Sequence, residues 1–165
     1  MAEYSFVTVW RHQAPIEAVY DAIADSLHWP EWWSTVTKVE DVAPGDPDSG
    51  IGGVRRYTFK GSLPYRLAFD LAVTNAERPR TLAGDASGEL EGTGVWTLTE
   101  EADGVTVARY DWNVRTTRPW MNVLAPIARQ IFKANHDLVM RAGAKGLCTR
   151  LGGVSGTCAW LSDGT

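Results

Sequence analysis

Residues 4–11, YSFVTVWR, alternate polar and apolar positions, are rich in β-branched and aromatic side chains, and contain no breaker, which predicts a strand with one buried face. After Pro15 the period changes. Ile16, Val19, Tyr20 and Ile23 recur at helical spacing as far as Asp25, and Pro15 suits a helix start. The Trp-dense run WPEWW at 29–33 predicts a second short helix beginning near Pro30. Six strand-like runs follow, over 34–42, 53–60, 65–75, 81–89, 91–100 and 105–116, with turn chemistry at 43–50, 77–79 and 102–104. Links this short predict an antiparallel meander. Between Pro119 and about Arg150 a helical period returns, with Trp120, Leu124, Ala128, Ile131, Leu138, Val139 and Ala142 on one stripe and Arg129, Gln130, Lys133 and Asp137 opposite it. Residues 152–165, rich in Gly, Ser and Thr, read as a mobile tail behind a single domain over 1–151.

The order of elements predicts an α+β fold in which a curved, seven-stranded antiparallel sheet wraps around one long C-terminal helix. A single helix cannot fill the concave side. What it leaves open is either plugged by large side chains or kept as a pocket. Eight Trp in 165 residues make both outcomes possible, because indole rings can serve as core or as cavity wall.

Charge narrows the function classes. Sixteen Lys and Arg against twenty Asp and Glu give a net charge of −4, scattered in both signs, which argues against a nucleic-acid footprint. No apolar run is long enough to span a membrane, and the first ten residues have no basic or apolar leader pattern, so a cytoplasmic protein is expected. Cys148 and Cys158 are then expected as thiols, and three scattered histidines with no carboxylate motif predict no metal and no cofactor. Oligomeric state leaves no signal.

The candidate wall residues come from the faces of these elements. Tyr65 and Phe69 share one face of their strand, while Tyr57 and Phe59 share another with Arg55 at its end. Arg55 is placed to hold an anionic group at a cavity mouth or to pair with an acidic neighbour. Trp112 lies on the aromatic face of the last strand with Tyr110. Trp96 shares a face with Gly92 and Gly94, whose small size suggests a void or room for packing. The Trp cluster at 29, 32 and 33 forms a lid over the cavity entrance or a plug closing that end of the core, with Trp33 read as core and Trp29 or Trp32 as lid. On the long helix Ile131 and Leu138 flank Asn135, a buried amide that serves as a ligand anchor or as a structural hydrogen-bonding group. His136 falls at the edge of the stripe, half exposed, and Glu89 with Glu91 could form an acid/base pair or a solvated strand edge.

The strings WPEWW at 29–33, LPYRL at 63–67, ELEGTGVW at 89–96, TTRPWM at 116–121, NHDLVM at 135–140 and GAKGL at 143–147 resemble the SRPBCC superfamily over about residues 4–151. That superfamily groups START-type lipid-transfer domains, birch-pollen-allergen-type proteins and polyketide cyclase/dehydrase-like proteins, and the chain looks closest to the last branch. The resemblance implies a helix-grip fold with a hydrophobic-ligand cavity between sheet and helix, and it carries over no catalytic signature. The leading expectation is therefore binding of a small or medium hydrophobic molecule such as a lipid, polyketide or aromatic. The alternative is a polyketide cyclase/dehydrase-type enzyme using the same cavity, and a third is a regulatory or interaction module using the cavity or Trp160 in the tail to engage a partner protein.

Overall fold

Alternation along the first strand sets the inner face of the fold. In a computed structural model that describes residues 3–119, 123, 125–153 and 158–164, β1 (Glu3–Gln13) turns Tyr4, Phe6, Thr8, Trp10 and His12 inward and leaves the intervening residues more exposed. Helix α1 (Ile16–Ala24) buries Ile16, Val19, Tyr20 and Ile23 as its period requires. A 3-10 turn over Ser26–His28 leads into α2 (Trp29–Trp32). The strands β2 (Val36–Ala43), β3 (Val54–Phe59), β4 (Leu67–Glu77), β5 (Thr81–Gly88), β6 (Leu90–Glu100) and β7 (Val105–Thr116) then meander antiparallel, and α3 (Ala125–Arg150) crosses their concave side. This is the helix-grip arrangement. Among the described residues no helix is long and apolar enough to cross a membrane.

The sheet has eight strands where seven were expected. Residues 158–164 of the expected mobile tail form β8 (Cys158–Gly164), which pairs antiparallel with β1 from Phe6↔Gly164 to His12↔Cys158, giving the order β2-β3-β4-β5-β6-β7-β1-β8. Polar composition hid the strand because its inward positions are served by the helix. Cys158 joins Cys148 in a disulfide, Trp160 lies under the Arg141 guanidinium at 4.7 Å, and Ser162 Oγ donates to Asp137. The expected thiols are thus disulfide-bonded, and Trp160 is half-buried against the fold where a free aromatic anchor was considered.

Helix α3 is turned relative to the expected stripe. Its buried residues are Ala128, Phe132, Asn135, Val139, Met140, Ala144, Leu147 and Cys148, while Ile131 and Leu138 are exposed at 48% and 42%. Trp120 and Leu124 of that stripe lie outside the described residues. The cause of the rotation is a notch of glycines. A Cβ at Gly146 would stand 1.7 Å from the Trp32 carbonyl oxygen, and one at Gly143 would stand 2.5 Å from the Trp33 ring. Helix α2 docks into that notch, Trp33 donates Nε1–H to the Val139 carbonyl at 2.8 Å, and the face carrying Phe132, Asn135 and Val139 is thereby directed at the sheet.

Candidate functional site

Between the sheet and α3 lies a cavity of about 80 Å³, walled by Trp29, Trp33, Tyr57, Phe59, Phe69, Trp96, Tyr110, Trp112 and Phe132, with Asn135, His136, Val139 and Met140 from the helix. The rings touch in a continuous series. Trp96 and Tyr110 have centroids 4.4 Å apart, Trp10 and Trp96 4.9 Å, Trp29 and Trp33 4.8 Å, and Phe59 and Phe69 stack at 5.7 Å. Each such pair contributes about 0.5–1.5 kcal/mol beyond its buried area, so the wall is stiff. Trp29, Tyr57, Leu71, Trp96 and Tyr110 also border a second, larger hollow of about 740 Å³, bounded otherwise by α1, the end of β2, the 43–50 loop and the β3–β6 strands.

The structure places Trp29, Tyr57, Phe59, Phe69, Trp96, Trp112 and Asn135 in the inner wall. The remaining expected residues stand elsewhere. Trp32 lines a groove on the outer side of α2 and α3 together with Leu138, because the Gly146 notch seats its backbone there. Ile131 is solvent-facing. Tyr65 is half-buried below the Arg118 guanidinium at 4.9 Å. Arg55 faces the larger hollow, where Nε donates to Asp41 at 3.0 Å and Nη1 to Ser26 Oγ at 2.8 Å. Trp29 is a fixed wall and no lid: it is 8% exposed and its Nε1–H is held by the Ile23 carbonyl at 3.1 Å. Gly94 borders the larger hollow while rings crowd its Cβ position, which would lie 2.5 Å from Tyr110 Oη and 2.9 Å from the Trp112 ring, so the glycine serves both the void and the packing expected beside it. Glu89 and Glu91 are engaged in pairs with Arg118 and Arg115.

Polar atoms at the inner wall are few. Asn135 Oδ1 accepts from the Ser62 N–H at 2.8 Å and from Ser62 Oγ at 3.3 Å, so the amide ties α3 to the loop after β3. Tyr57 Oη shares a 2.8 Å hydrogen bond with Ser26 Oγ; burial raises its pKa, and the Ser26 bond offsets part of that rise. Burial also raises Tyr110. His136, expected half exposed at the edge of the stripe, is partly buried and stacks on Phe6 at 4.2 Å, with both ring nitrogens out of solvent and without a hydrogen-bond partner among the described residues. Burial lowers its pKa to about 4, with Asp137 opposing and Lys133 adding to the shift. The rotation of α3 turns its ring nitrogens toward the cavity. Counting the helical stripe from Phe132 and Val139 in place of Ile131 and Leu138 would have found it.

A sequence profile for the family described as polyketide cyclase / dehydrase and lipid transport matches residues 5–152. No curated protein sequence matches the chain. Similar solved structures include the Zhui aromatase/cyclase from a Streptomyces species, at 17% identity and TM-score 0.70 over 93% of this chain and 100% of that one. A START superfamily protein from Mycobacterium smegmatis superposes with TM-score 0.73 at 13% identity, over 90% of this chain and 97% of that one. The di-domain ARO/CYC BexL matches at 19% identity and TM-score 0.68, over 90% of this chain and 50% of that one. At these identities the likeness is one of fold.

Proposed function

The chain belongs to the polyketide cyclase / dehydrase and lipid transport family, and from that premise we propose that it binds a small or medium hydrophobic molecule, of aromatic or polyketide character, between the sheet and α3. One observation carries the reading: a continuous aromatic wall shared by the inner cavity and the larger hollow. Ligand pockets run to roughly 300–1,000 Å³ and are lined mainly by apolar and aromatic groups with a few polar ones. The inner cavity of about 80 Å³ is smaller than that. A ligand larger than one ring therefore occupies the hollow as well, with Tyr57, Trp96 and Tyr110 against it, and the flat aromatic faces favour a flat molecule.

Native mass spectrometry of the protein purified from its own host, followed by extraction, tests this directly. A co-purifying aromatic, polyketide or lipid is the expected result, and titration with it should quench the Trp fluorescence. Absence of bound material, together with no fluorescence response across a panel of polycyclic aromatics and fatty acids, overturns the reading.

His136 favours a second reading, a cyclase/dehydrase-type reaction in the same cavity. Its ring nitrogens have no partner among the described residues and stand at the apolar wall. A neutral imidazole there can accept the proton lost from a carbon between two ketones while the wall holds the chain folded. In this reading His136→Phe, which keeps the stacking on Phe6, abolishes cyclisation of a poly-β-keto substrate and leaves its binding intact. Unchanged turnover would remove the reading.

A further inference from the structure

The corner where β1, β8 and the end of α3 meet holds three donor atoms that the cavity does not use. The β1–β8 register sets Cys158 directly across from His12. Cys148, in the final turns of α3, is buried against the same corner. One ligand atom from each of His12, Cys148 and Cys158 lies within 4.8 Å of the other two, and His12 Nδ1 is 3.3 Å from Cys158 Sγ. The imidazole is 1% exposed, meets Trp10 edge-on at 6.0 Å, and has no hydrogen-bond partner at Nε2 among the described residues. These residues are 136 and 10 positions apart in sequence (148 − 12 and 158 − 148), so only the fold brings them together.

We propose that, once the Cys148–Cys158 bond is reduced, the two thiolates and His12 Nδ1 bind a zinc-class divalent cation, so that this corner exchanges a disulfide for a metal site. Opening the disulfide takes two electrons and two protons from an external dithiol, which itself becomes a disulfide, and leaves two thiols. Binding of the cation then releases both thiol protons. Zinc–sulfur bonds of about 2.3 Å and zinc–nitrogen bonds of about 2.0–2.1 Å put tetrahedral donors roughly 3.3–3.8 Å apart, a spacing that side-chain rotation of the freed cysteines can reach. Among the described residues no fourth His, Cys, Asp or Glu joins the three, which leaves the last position to solvent. Two thiolates and an imidazole select soft and borderline cations over magnesium or calcium.

The donors stay together after reduction because other contacts hold β8. Its backbone ladder to β1 is complete from 158 to 164, Ser162 reaches Asp137, and Trp160 packs under Arg141. Disulfide and metal would therefore make the same covalent or coordinate link between β8 and α3 in two redox states.

The test uses the full chain, stripped with a chelator and compared as its disulfide form and after phosphine reduction under argon. Zinc is titrated against a chromogenic chelator, and cobalt is added to read the thiolate-to-metal charge-transfer band. The reduced protein is expected to bind one equivalent of zinc and show the band, and the disulfide form to do neither. Cys148→Ser and Cys158→Ser should lose the band, and His12→Gln should weaken zinc binding about tenfold or more. If His12→Gln fails to fold, the ¹⁵N resonance of His12 Nδ1 in the reduced wild type replaces it, and a zinc-dependent shift of that nitrogen is expected. Reduced protein that binds no zinc, equal binding by the Cys148→Ser/Cys158→Ser double variant, or an unmoved Nδ1 resonance overturns the proposal.

Discussion

The inner cavity and the larger hollow share one aromatic partition and are built on different principles. In the cavity, about 80 Å³ is bounded by interlocking rings. In the hollow, about 740 Å³ is bounded by that partition on one side and by a loop, a helix and paired charges on the others, with Arg55 on Asp41 and Arg78 on Asp21 at its rim. The inner volume is set by close packing, where changes of one methylene are felt. The outer volume is set by how far apart the elements stand, and a loop can shift at little cost.

On that contrast, truncation in the ring-packed wall is far more costly than truncation at the rim of the hollow. Trp33→Ala removes a 2% exposed indole that touches three other tryptophans, and should lower the unfolding free energy by about 3–5 kcal/mol in urea titrations. Leu82→Ala, on the half-buried wall of the hollow, should cost less than half as much. Equal losses would erase the distinction.

The next effect is one of pH. His136 titrates near 6.5 in an unfolded chain and near 4 in the fold, where it faces Phe6 of β1 and the neutral aromatic wall, with Lys133 and Asp137 as its charged neighbours on α3. Between those values the unfolded state binds more protons, so stability is complete above about pH 7 and falls as pH drops from about 6.5 to about 4, by up to about 3 kcal/mol. His136→Phe keeps the stacking and should lose less stability than wild type between about pH 7.5 and about pH 4.5. His12, also buried and lowered to about 4, is common to both proteins and cancels in the difference.

These two residues show what the sequence could and could not tell. Strands β1 to β7 and α1 were legible because alternation and helical period are local, and the aromatic faces of β3, β4, β6 and β7 followed from it. The rotation of α3 was not legible. It depends on Gly143 and Gly146 receiving α2, a contact between segments more than a hundred residues apart, and so the helical period alone puts Ile131 and Leu138 inside where the fold exposes them. Strand β8 was missed for a similar reason. Its Cys158, Trp160 and Ser162 face a helix whose matching residues Cys148, Arg141 and Asp137 carry no signal of pairing in one sequence.

A smaller effect sharpens the role of Asn135. Its carbonyl oxygen holds the Ser62 N–H inside the fold, so Asn135→Ala should cost about 1–3 kcal/mol and raise the hydrogen-exchange rate of the Ser62 amide. An unchanged exchange rate would show that the amide does not hold this loop, and would free it for the ligand-anchor role.

The smallest differences fall at the seam between the two spaces. Ser26 is 3% exposed, and its hydroxyl bonds both Tyr57 Oη, on the shared wall, and Arg55 Nη1, in the hollow. Ser26→Ala leaves a buried phenol without that partner and should cost about 1–2 kcal/mol, whereas Asp41→Asn loosens only an exposed ion pair and should cost under about 1 kcal/mol. Urea titrations in low and high salt separate the two, because the pair with Asp41 is screened and the bond to Tyr57 is not. A Ser26→Ala loss that vanishes in high salt would place Ser26 with the outer charges, and the wall would then be held by ring packing alone.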